Sequence, residues 1–387
     1  MMAALRRSTV RNAISLVDYV GMRKEELMTP ALLIDLDALE KNIRTMSEYY
    51  RGRKNAGIIP HQKGHRLPII AKKQLEAGAS GVSMTSLGLA EYYVESGIDN
   101  ILITSEIYGK RKIDKLCGLA KQANITISVD NLENVRQLSD AALENHTVIK
   151  VAPELYAGRT SCGVDPSRMK EFVKDLGAYR GVKFEGFWHH GHESSIVKFA
   201  ERKVAHFNSL DEISRIKDEI EDAGTEVRFV SAGYTCTWNI TPDHSLKNVL
   251  VQAGSYVFSD WCSHNHIEGI EAFDCALTVL TRCISRPKTD EAMFDFGMNS
   301  CSDECGENYH NVIGPVFKDI AGVDTVSERE EVSLAVFNAP RDDIKVGDAF
   351  EVIPAHSDTT AKLHPRYYGI RDGVVEVVWP NYGQSLF

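Results

Sequence analysis

The chain contains 387 residues, of which 43% are hydrophobic and 25% are charged. A chain of this length and composition can form one large domain and a smaller one without disulfides to support the core. The formal net charge is −10, and the charges are not gathered into long runs. This acidic balance argues against binding to nucleic acid or to an anionic membrane surface. No apolar stretch approaches the roughly 20 residues that a membrane-spanning helix needs.

The N-terminal segment is basic: residues 1–17 contain three arginines, two serines and no acidic residue. This composition is similar to that of a mitochondrial presequence, although short basic starts also arise by chance. We therefore expect a cytoplasmic protein, keep a mitochondrial location as the alternative, and treat residues 1–28 as an N-terminal extension. Because no secretory signal accompanies the eight cysteines, we expect reduced thiols rather than disulfides.

From about residue 57 the sequence alternates short β-rich runs with helical stretches. The strand candidates are AGIIPH, GVSMT, NILITS, ITISVD, TVIKVAPE, VKFEGFWH, EVRFVSAG and NVLVQAG. The stretches between them, such as KIDKLCGLAKQAN, mostly repeat apolar residues at i, i+3 and i+4, which is typical of amphipathic helices. Eight such units predict an α/β fold, a (β/α)8 TIM barrel. A doubly wound open sheet is the alternative.

The pattern changes after residue 270, where strand-like runs and turns follow one another without a convincing helix. This change predicts a second, C-terminal β domain. We place the barrel at residues 29–268 and the β domain at 269–387. Residues 29–40 precede the barrel strands, and we expect that a strand there can pair with the β domain.

The predicted first barrel strand ends in the segment Pro60-His61-Gln62-Lys63-Gly64-His65. In barrel enzymes the reactive residues follow the carboxyl ends of the strands. Most lysines are solvated surface charges, but a lysine at a strand end between two histidines is well placed to form a Schiff base. We therefore predict that Lys63 binds a carbonyl cofactor.

Clusters of small residues follow the seventh and eighth predicted strands. They are Ser231-Ala232-Gly233-Tyr234-Thr235 and Ala253-Gly254-Ser255-Tyr256. Small residues let backbone N–H groups approach a phosphate, and hydroxyls add further donors. Phosphate commonly binds in this part of a barrel. Glycines also make plain turns, but both clusters together with Lys63 favour a cofactor that carries a carbonyl and a phosphate.

Cationic and imidazole side chains follow the fifth and sixth predicted strands. Arg159 places a fixed charge near the barrel mouth, and the segment Trp188-His189-His190-Gly191-His192 supplies three imidazoles. Side chains at i, i+1 and i+3 of an extended segment do not all face one point. We therefore disfavour a three-histidine metal site and keep His189, His190 and His192 as candidate acid–base groups.

In the C-terminal domain, His356 and Asp358 follow an apolar strand. On an extended backbone, residues i and i+2 point the same way. The two side chains can therefore chelate one divalent cation and leave positions open for water and substrate. The alternative is an ordinary polar turn.

Taken together, these motifs resemble the D-threonine aldolase and D-serine dehydratase family, within the fold-type III, alanine-racemase-like pyridoxal-phosphate enzymes. The similarity runs over nearly the whole chain after the N-terminal segment. The stretches that carry it are TPALLIDLDALEKNI, PHQKGH, QLEAGASGVSMTSLGLAE, DNILITSEI, AGRTSCGVD, QAGSYVFSD and VGDAFEVIPAHSDTTAKLHPRYYGIRDGVVEVVWP. The order and separation of the lysine motif and the C-terminal histidine motif are specific.

The resemblance implies roles for individual residues. Lys63 would bind pyridoxal 5'-phosphate covalently, Arg159 would lie near its ring, and His356 and Asp358 would ligate the metal. The residues implied around the phosphate are Ser231, Gly233, Tyr234, Thr235, Gly254, Ser255 and Tyr256. The resemblance also implies a homodimer whose active sites form between the barrel of one chain and the β domain of the other.

Two departures from the family pattern concern the sixth strand. Family members usually have Tyr-His-Gly where this chain has His189-His190-Gly191, so a tyrosine that contacts the cofactor ring is replaced. Aldolases of the group carry a histidine slightly further on, and the corresponding residue here is Ser195. We expect His190 or His192 to substitute for it. The glycine-rich loop is also SAGYTCT where SGGGTGT is typical.

The resemblance implies a retro-aldol lyase that converts small D-3-hydroxy amino acids to glycine and an aldehyde. The alternative is a D-serine or D-3-hydroxyaspartate dehydratase that forms a 2-oxo acid and ammonia. Dehydratases of the group often have cysteine at the position of Asp358, and a carboxylate favours Mn²⁺ or Mg²⁺ over Zn²⁺. The metal pair argues against two further alternatives, a racemase and a non-catalytic pyridoxal-phosphate carrier.

Overall fold

The computed structural model of the chain describes residues 16–158, 161–191, 193, 196–303 and 314–386. Arg159, His192 and Ser195 lie outside the described residues, so the roles expected of them stay predictions. Within the described ranges, no helix combines the length and the apolar character that a membrane crossing requires.

The strands of the predicted barrel all form, in chain order. The first strand of the chain, β1 (Ala31–Asp35), lies in the C-terminal sheet instead. The barrel strands are β2 (Ala56–Ile58), β3 (Val82–Met84), β4 (Asn100–Glu106), β5 (Asn124–Val129), β6 (Ile149–Leu155), β7 (Val182–Phe184), β8 (Gly186–His189), β9 (Phe229–Ala232) and β10 (Val249–Val251). The sixth predicted strand is divided into β7 and β8, and every pairing in this sheet is parallel.

Helices follow the strands as the apolar periodicity predicts. They are α1 (Leu36–Tyr50), α2 (Pro68–Glu76), α3 (Leu87–Glu95), α4 (Lys110–Ala120), α5 (Leu132–Glu144), α6 (Met169–Leu176), α7 (Phe199–Asp222) and α8 (Trp261–His266). Between β9 and β10 the chain forms only two short 3-10 helices, Thr235–Thr237 and Thr241–Asp243. The chain after β9 therefore stays close to the mouth of the barrel.

The sheet curls into a barrel because its first and last strands are neighbours. The strand order is β2-β10-β9-β8-β6-β5-β4-β3, with β7 beside β6. Just beyond β2 and β3, the Gln62 N–H donates to Ser83 O at 2.8 Å and the Ser83 N–H donates to Pro60 O at 3.0 Å. These bonds join the two ends of the sheet. An open doubly wound sheet is excluded, since its first and last strands would not pair.

The second sheet confirms the C-terminal β architecture. Its further strands are β11 (Leu277–Lys288), β12 (Glu291–Phe294), β13 (Val316–Phe317), β14 (Val323–Glu328), β15 (Ser333–Phe337), β16 (Ala349–Ile353), β17 (Arg366–Arg371) and β18 (Val374–Pro380). β1 lies between β11 and β17, so the segment before the barrel is part of this sheet. The expectation of no helix after residue 270 is wrong, because α9 (Ser357–Leu363) follows β16.

One cysteine departs from the expectation of reduced thiols. Cys262 is disulfide-bonded, so that prediction is wrong at this position. The described cysteines that are free are Cys117, Cys162, Cys236, Cys275, Cys283 and Cys301.

Candidate active site

A cavity of about 520 Å³ lies at the carboxyl ends of the barrel strands. The predicted site residues on its wall are Lys63, His190, Tyr234, Thr235, Gly254 and Ser255. A larger cavity of about 650 Å³ lies at the amino ends of the strands and is lined by none of the predicted residues. Because barrel enzymes gather their chemistry at the carboxyl ends, the cavity around Lys63 is the candidate active site.

The C-terminal domain brings the predicted metal pair next to Lys63, a residue of the cavity wall. The Lys63 Nζ lies 3.4 Å from Oδ2 of Asp358, and the His356 Nε2 lies 4.0 Å from the same oxygen. All three residues belong to one chain. The sequence resemblance implied sites shared between two chains, whereas the amine and the metal pair already meet within a single chain.

The backbone at this pair differs from the one predicted. His356 is extended, with φ −134° and ψ 117°, but Asp358 lies in the first turn of α9. The prediction that both residues lie on an extended strand is therefore wrong. The side chains still converge, because the helix turns Asp358 back toward Lys63. The short polar sequence SDTTAKL gave no apolar periodicity from which this helix could be expected.

Asp358 has the properties of a metal ligand. Its side chain is only 7% exposed, and its Oδ1 is buried without a hydrogen-bond partner among the described residues. Burial alone would raise the pKa of Asp358, but the charges of Lys63 and His356 hold this pKa below its ordinary value. A buried, ionised carboxylate with an unpaired oxygen fits a cation, since an unpaired buried oxygen is otherwise costly.

The backbone at Lys63 is fixed by its neighbours. The Lys63 N–H donates to Nδ1 of His61 at 3.2 Å, and His61 Nε2 lies 3.3 Å from Thr104 Oγ1. Burial and then the charge of Lys63 lower the pKa of His61 to about 3, so this ring is neutral. At Gly64 a Cβ would lie 2.8 Å from Asp358 Oδ1, so this glycine lets the strand end approach the carboxylate.

The two predicted phosphate loops meet at the cavity wall. The Ser255 hydroxyl donates to Thr235 Oγ1 at 3.0 Å, and both residues line the cavity. At Gly254 a Cβ would lie 2.7 Å from the carbonyl oxygen of His61. Glycine, serine and threonine thus leave a narrow polar cradle on the cavity wall. Neither loop contributes a carboxylate to this cradle. A cofactor phosphate fits this cradle, and the Lys63 amine faces the same cavity.

Three of the predicted phosphate residues support the loops from behind instead of lining the cavity. Ser231 donates to Leu250 O at 2.9 Å and accepts from the amide of Gln252 at 2.9 Å. The Tyr256 hydroxyl accepts from Gln74 at 2.9 Å. Gly233 has φ +88°, a conformation that side chains rarely adopt. Gln252, which the sequence analysis missed, lies on the wall itself.

The strand-six histidines fall on different sides of the chain. Trp188 and His190 line the cavity, whereas His189 does not. This alternation is expected at the end of a strand. Both ring nitrogens of His189 are buried without hydrogen-bond partners among the described residues. The geometry therefore gives His190, and not His189, direct access to the cavity.

A group of acids on the cavity wall was not foreseen from the sequence. Ligand atoms of Glu106, Glu154 and Cys162 lie within 4.8 Å of one another. Burial, together with neighbouring carboxylates, raises the pKa of Glu154 to about 8. Glu154 is then protonated at neutral pH and can donate a hydrogen bond into the cavity. The available signal was position, since Glu106 and Glu154 both stand at carboxyl ends of barrel strands.

Family models match both parts of the chain. Residues 34–260 match the N-terminal domain of alanine racemase. Residues 276–370 match a putative serine dehydratase domain. The first match covers more than half of the chain. The chain therefore belongs to the alanine-racemase-like family of pyridoxal-phosphate enzymes, as the sequence motifs predicted.

Curated relatives narrow the resemblance. A 3-hydroxy-D-aspartate aldolase of Paracoccus denitrificans is 31% identical over 374 residues, which are 93% of each chain. A D-threonine aldolase of an Arthrobacter species is 29% identical over 354 residues, 91% of each chain. A D-threo-3-hydroxyaspartate dehydratase of Delftia is 26% identical over 376 residues, 90% of this chain and 96% of the relative.

Solved structures agree with the fold. The D-threonine aldolase from Filomicrobium marinum has a TM-score of 0.88 at 28% identity and covers 95% of this chain and 98% of its own. The Delftia dehydratase has a TM-score of 0.80 at 21% identity over 93% of this chain and 98% of its own. These two structural matches, together with the two sheets described above, confirm the barrel with a C-terminal β domain.

Proposed function

We propose that this chain is a pyridoxal-phosphate- and divalent-metal-dependent lyase that cleaves D-3-hydroxy amino acids to glycine and an aldehyde. The observation that carries the proposal is the meeting of Lys63, which lines the cavity, and Asp358, whose Oδ2 lies 3.4 Å from the Lys63 Nζ. An amine for the cofactor and a carboxylate for a cation thus serve the same bound substrate. The two aldolase relatives support this reading.

We assign each cofactor to residues of this chain. Pyridoxal phosphate would be held by Lys63 and by the cradle around Thr235 and Ser255, and a divalent cation by His356 and Asp358. When bound, the first supplies an electron sink for the broken Cα–Cβ bond and the second polarises the substrate 3-hydroxyl. A carboxylate and an imidazole favour Mn²⁺ or Mg²⁺, with Zn²⁺ as the less favoured ion.

His190 is the proton acceptor that the geometry supports. Retro-aldol cleavage requires loss of the proton from the 3-hydroxyl. Partial burial and the charge of Lys63 lower the pKa of His190 below its usual value, so the ring is neutral at physiological pH and can accept a proton. His61 is also neutral, but its Nδ1 is already occupied by the Lys63 N–H.

The oligomeric state and the cellular location are inferred from the family resemblance and from the N-terminal sequence. We infer a homodimer from the resemblance, since enzymes of this family pair the barrel of one chain with the β domain of another. Size-exclusion chromatography with light scattering measures this directly, and a monomeric mass for the active enzyme would contradict it.

We infer a cytoplasmic location, and the basic residues before Leu16 keep a mitochondrial presequence as the alternative.

The function is tested by identifying products from three substrates. The enzyme is incubated with D-threonine, D-serine and D-3-hydroxyaspartate, each with and without EDTA. We expect glycine and an aldehyde from each compound that the enzyme cleaves. We expect no product after chelation. Dominant formation of 2-oxo acid and ammonia would instead make the chain a dehydratase. Absence of turnover with all three would contradict both assignments.

A further inference from the structure

Behind His190 lies a buried polar group that the proposed chemistry does not use. Its members are Tyr234, Glu193, His206 and Thr241. Glu193 is 5% exposed and His206 is 1% exposed. Burying a carboxylate and an imidazole together is costly unless they are paired. A buried charged group beside an active-site cavity is therefore a candidate for a functional role.

The group is connected to the cavity through Tyr234. The Tyr234 hydroxyl donates a hydrogen bond to the Glu193 carboxylate and lies 3.0 Å from the carbonyl oxygen of Gly191. The Tyr234 ring packs on the ring of His190, with centroids 4.9 Å apart. Tyr234 thus joins the loop after β9 to the loop after β8, and one face of it supports His190.

Glu193 keeps its charge although it is buried. Burial would raise the pKa of Glu193, but contacts with His206 and then other polar side chains, Tyr234 among them, hold this pKa well below its ordinary value. Nδ1 of His206 lies 3.6 Å from Oε1 of Glu193. His206 Nε2 is held at 2.9 Å by Thr241 Oγ1.

We infer that Glu193 is a positioning residue that, through Tyr234, holds His190 in the orientation needed to accept the proton of the substrate 3-hydroxyl. The inference rests on the proposed function, in which His190 is the proton acceptor. Tyr234, in the glycine-rich loop, thereby links Glu193 to His190. A ring fixed at its hydroxyl end by an ionised carboxylate cannot rotate away from His190 without breaking that bond.

The charge of Glu193 also acts on His190 directly. Among the described residues, Lys63 and His189 lower the pKa of His190 and Glu193 raises it. The rings of His61 and Tyr234 also lie next to His190. Removing the Glu193 charge should therefore lower the His190 pKa further. Since the acidic limb of kcat/KM follows the protonation of the base, this limb should move to lower pH.

The test compares two conservative variants with matched controls. Tyr234→Phe retains the ring, and Glu193→Gln retains the shape of the carboxylate. Tyr50→Phe removes a buried tyrosine hydroxyl that donates to Trp238 O at 2.7 Å. Glu185→Gln neutralises a carboxylate whose residue is 7% exposed, at the far end of the barrel. The controls remove the same chemical groups away from the cavity.

We expect kcat to fall about 10- to 100-fold in Tyr234→Phe and in Glu193→Gln, with KM changed far less, because misplaced catalytic groups act on the chemical step. The loss in the double variant should be smaller than the product of the two single losses, since both residues act on His190. The acidic limb should move down by about half a pH unit in Glu193→Gln. The control variants should match the unaltered enzyme in kcat, in KM and in the position of the acidic limb.

A second readout does not depend on turnover. The ¹⁵N-histidine spectrum of the holoenzyme, assigned with His190→Gln, reports the titration midpoint of His190. We expect a lower midpoint in Glu193→Gln and retained visible absorbance of the cofactor in both variants. If no hydroxy amino acid is cleaved but the midpoint shifts, the proposed function fails while the contact stands. Unchanged kcat and an unshifted midpoint would overturn the inference, and so would additive losses in the double variant. If Glu193→Gln does not fold, the kcat and KM of Tyr234→Phe alone decide whether the inference holds.

Discussion

Lys63→Ala is expected to abolish turnover and to remove the cofactor linkage that borohydride can reduce. Lys63 is the amine at the end of β2, and it lines the same cavity as the phosphate cradle. No other lysine lines this cavity among the described residues. We expect kcat to fall by roughly 10⁴-fold or more, the scale seen when a covalent nucleophile is removed.

The measurement is mass spectrometry of the borohydride-reduced protein after proteolysis. The cofactor mass should appear on the peptide containing Lys63 and on no peptide of the variant. Lys170→Ala, at an exposed position in α6, is the matched control and should behave as the unaltered enzyme. A Lys63→Ala protein that still carries a reducible linkage would refute the assignment.

Asp358→Ala is expected to lower kcat by about 10²- to 10⁴-fold while leaving the cofactor absorbance largely intact. The reason is that Asp358 serves the cation that polarises the substrate hydroxyl and not the phosphate cradle. Exhaustive chelation of the unaltered enzyme should have the same effect. Asp342→Ala, at an exposed loop position, should change neither quantity.

Metal readdition then tests the ligand argument. Mn²⁺ or Mg²⁺ should restore the chelated enzyme more fully than Zn²⁺, because a buried carboxylate is a hard oxygen ligand. Asp358→Cys should reverse this order, since a thiolate favours Zn²⁺. Full activity after exhaustive chelation would show that His356 and Asp358 form only a polar turn.

The sequence predicted the features that depend on local pattern. Strand and helix periodicity predicted the barrel, and the position after the first predicted strand made Lys63 the candidate amine, because both follow from residues close together in the chain. The short edge strands β13 and β14 were missed. β14 contains only exposed and half-buried residues, so it lacks the apolar run that marks a central strand.

The features that sequence alone did not provide depend on contacts between distant segments. Tyr234 and Glu193 are 41 residues apart, and only the neighbouring positions of β8 and β9 bring their loops together. The acidic wall around Glu154 likewise joins the ends of separate strands. No periodicity within one segment records such meetings, whereas the fold fixes them.

The central claim is that the Cα–Cβ bond of a D-3-hydroxy amino acid breaks. D-threonine labelled with ¹³C at both Cα and Cβ is the most direct probe, followed by ¹³C NMR with the metal-loaded holoenzyme. Cleavage separates the labels into glycine and acetaldehyde, so the one-bond carbon–carbon coupling should disappear from the products. Products that retain this coupling, as 2-oxobutanoate does, would contradict the account and identify the chain as a dehydratase.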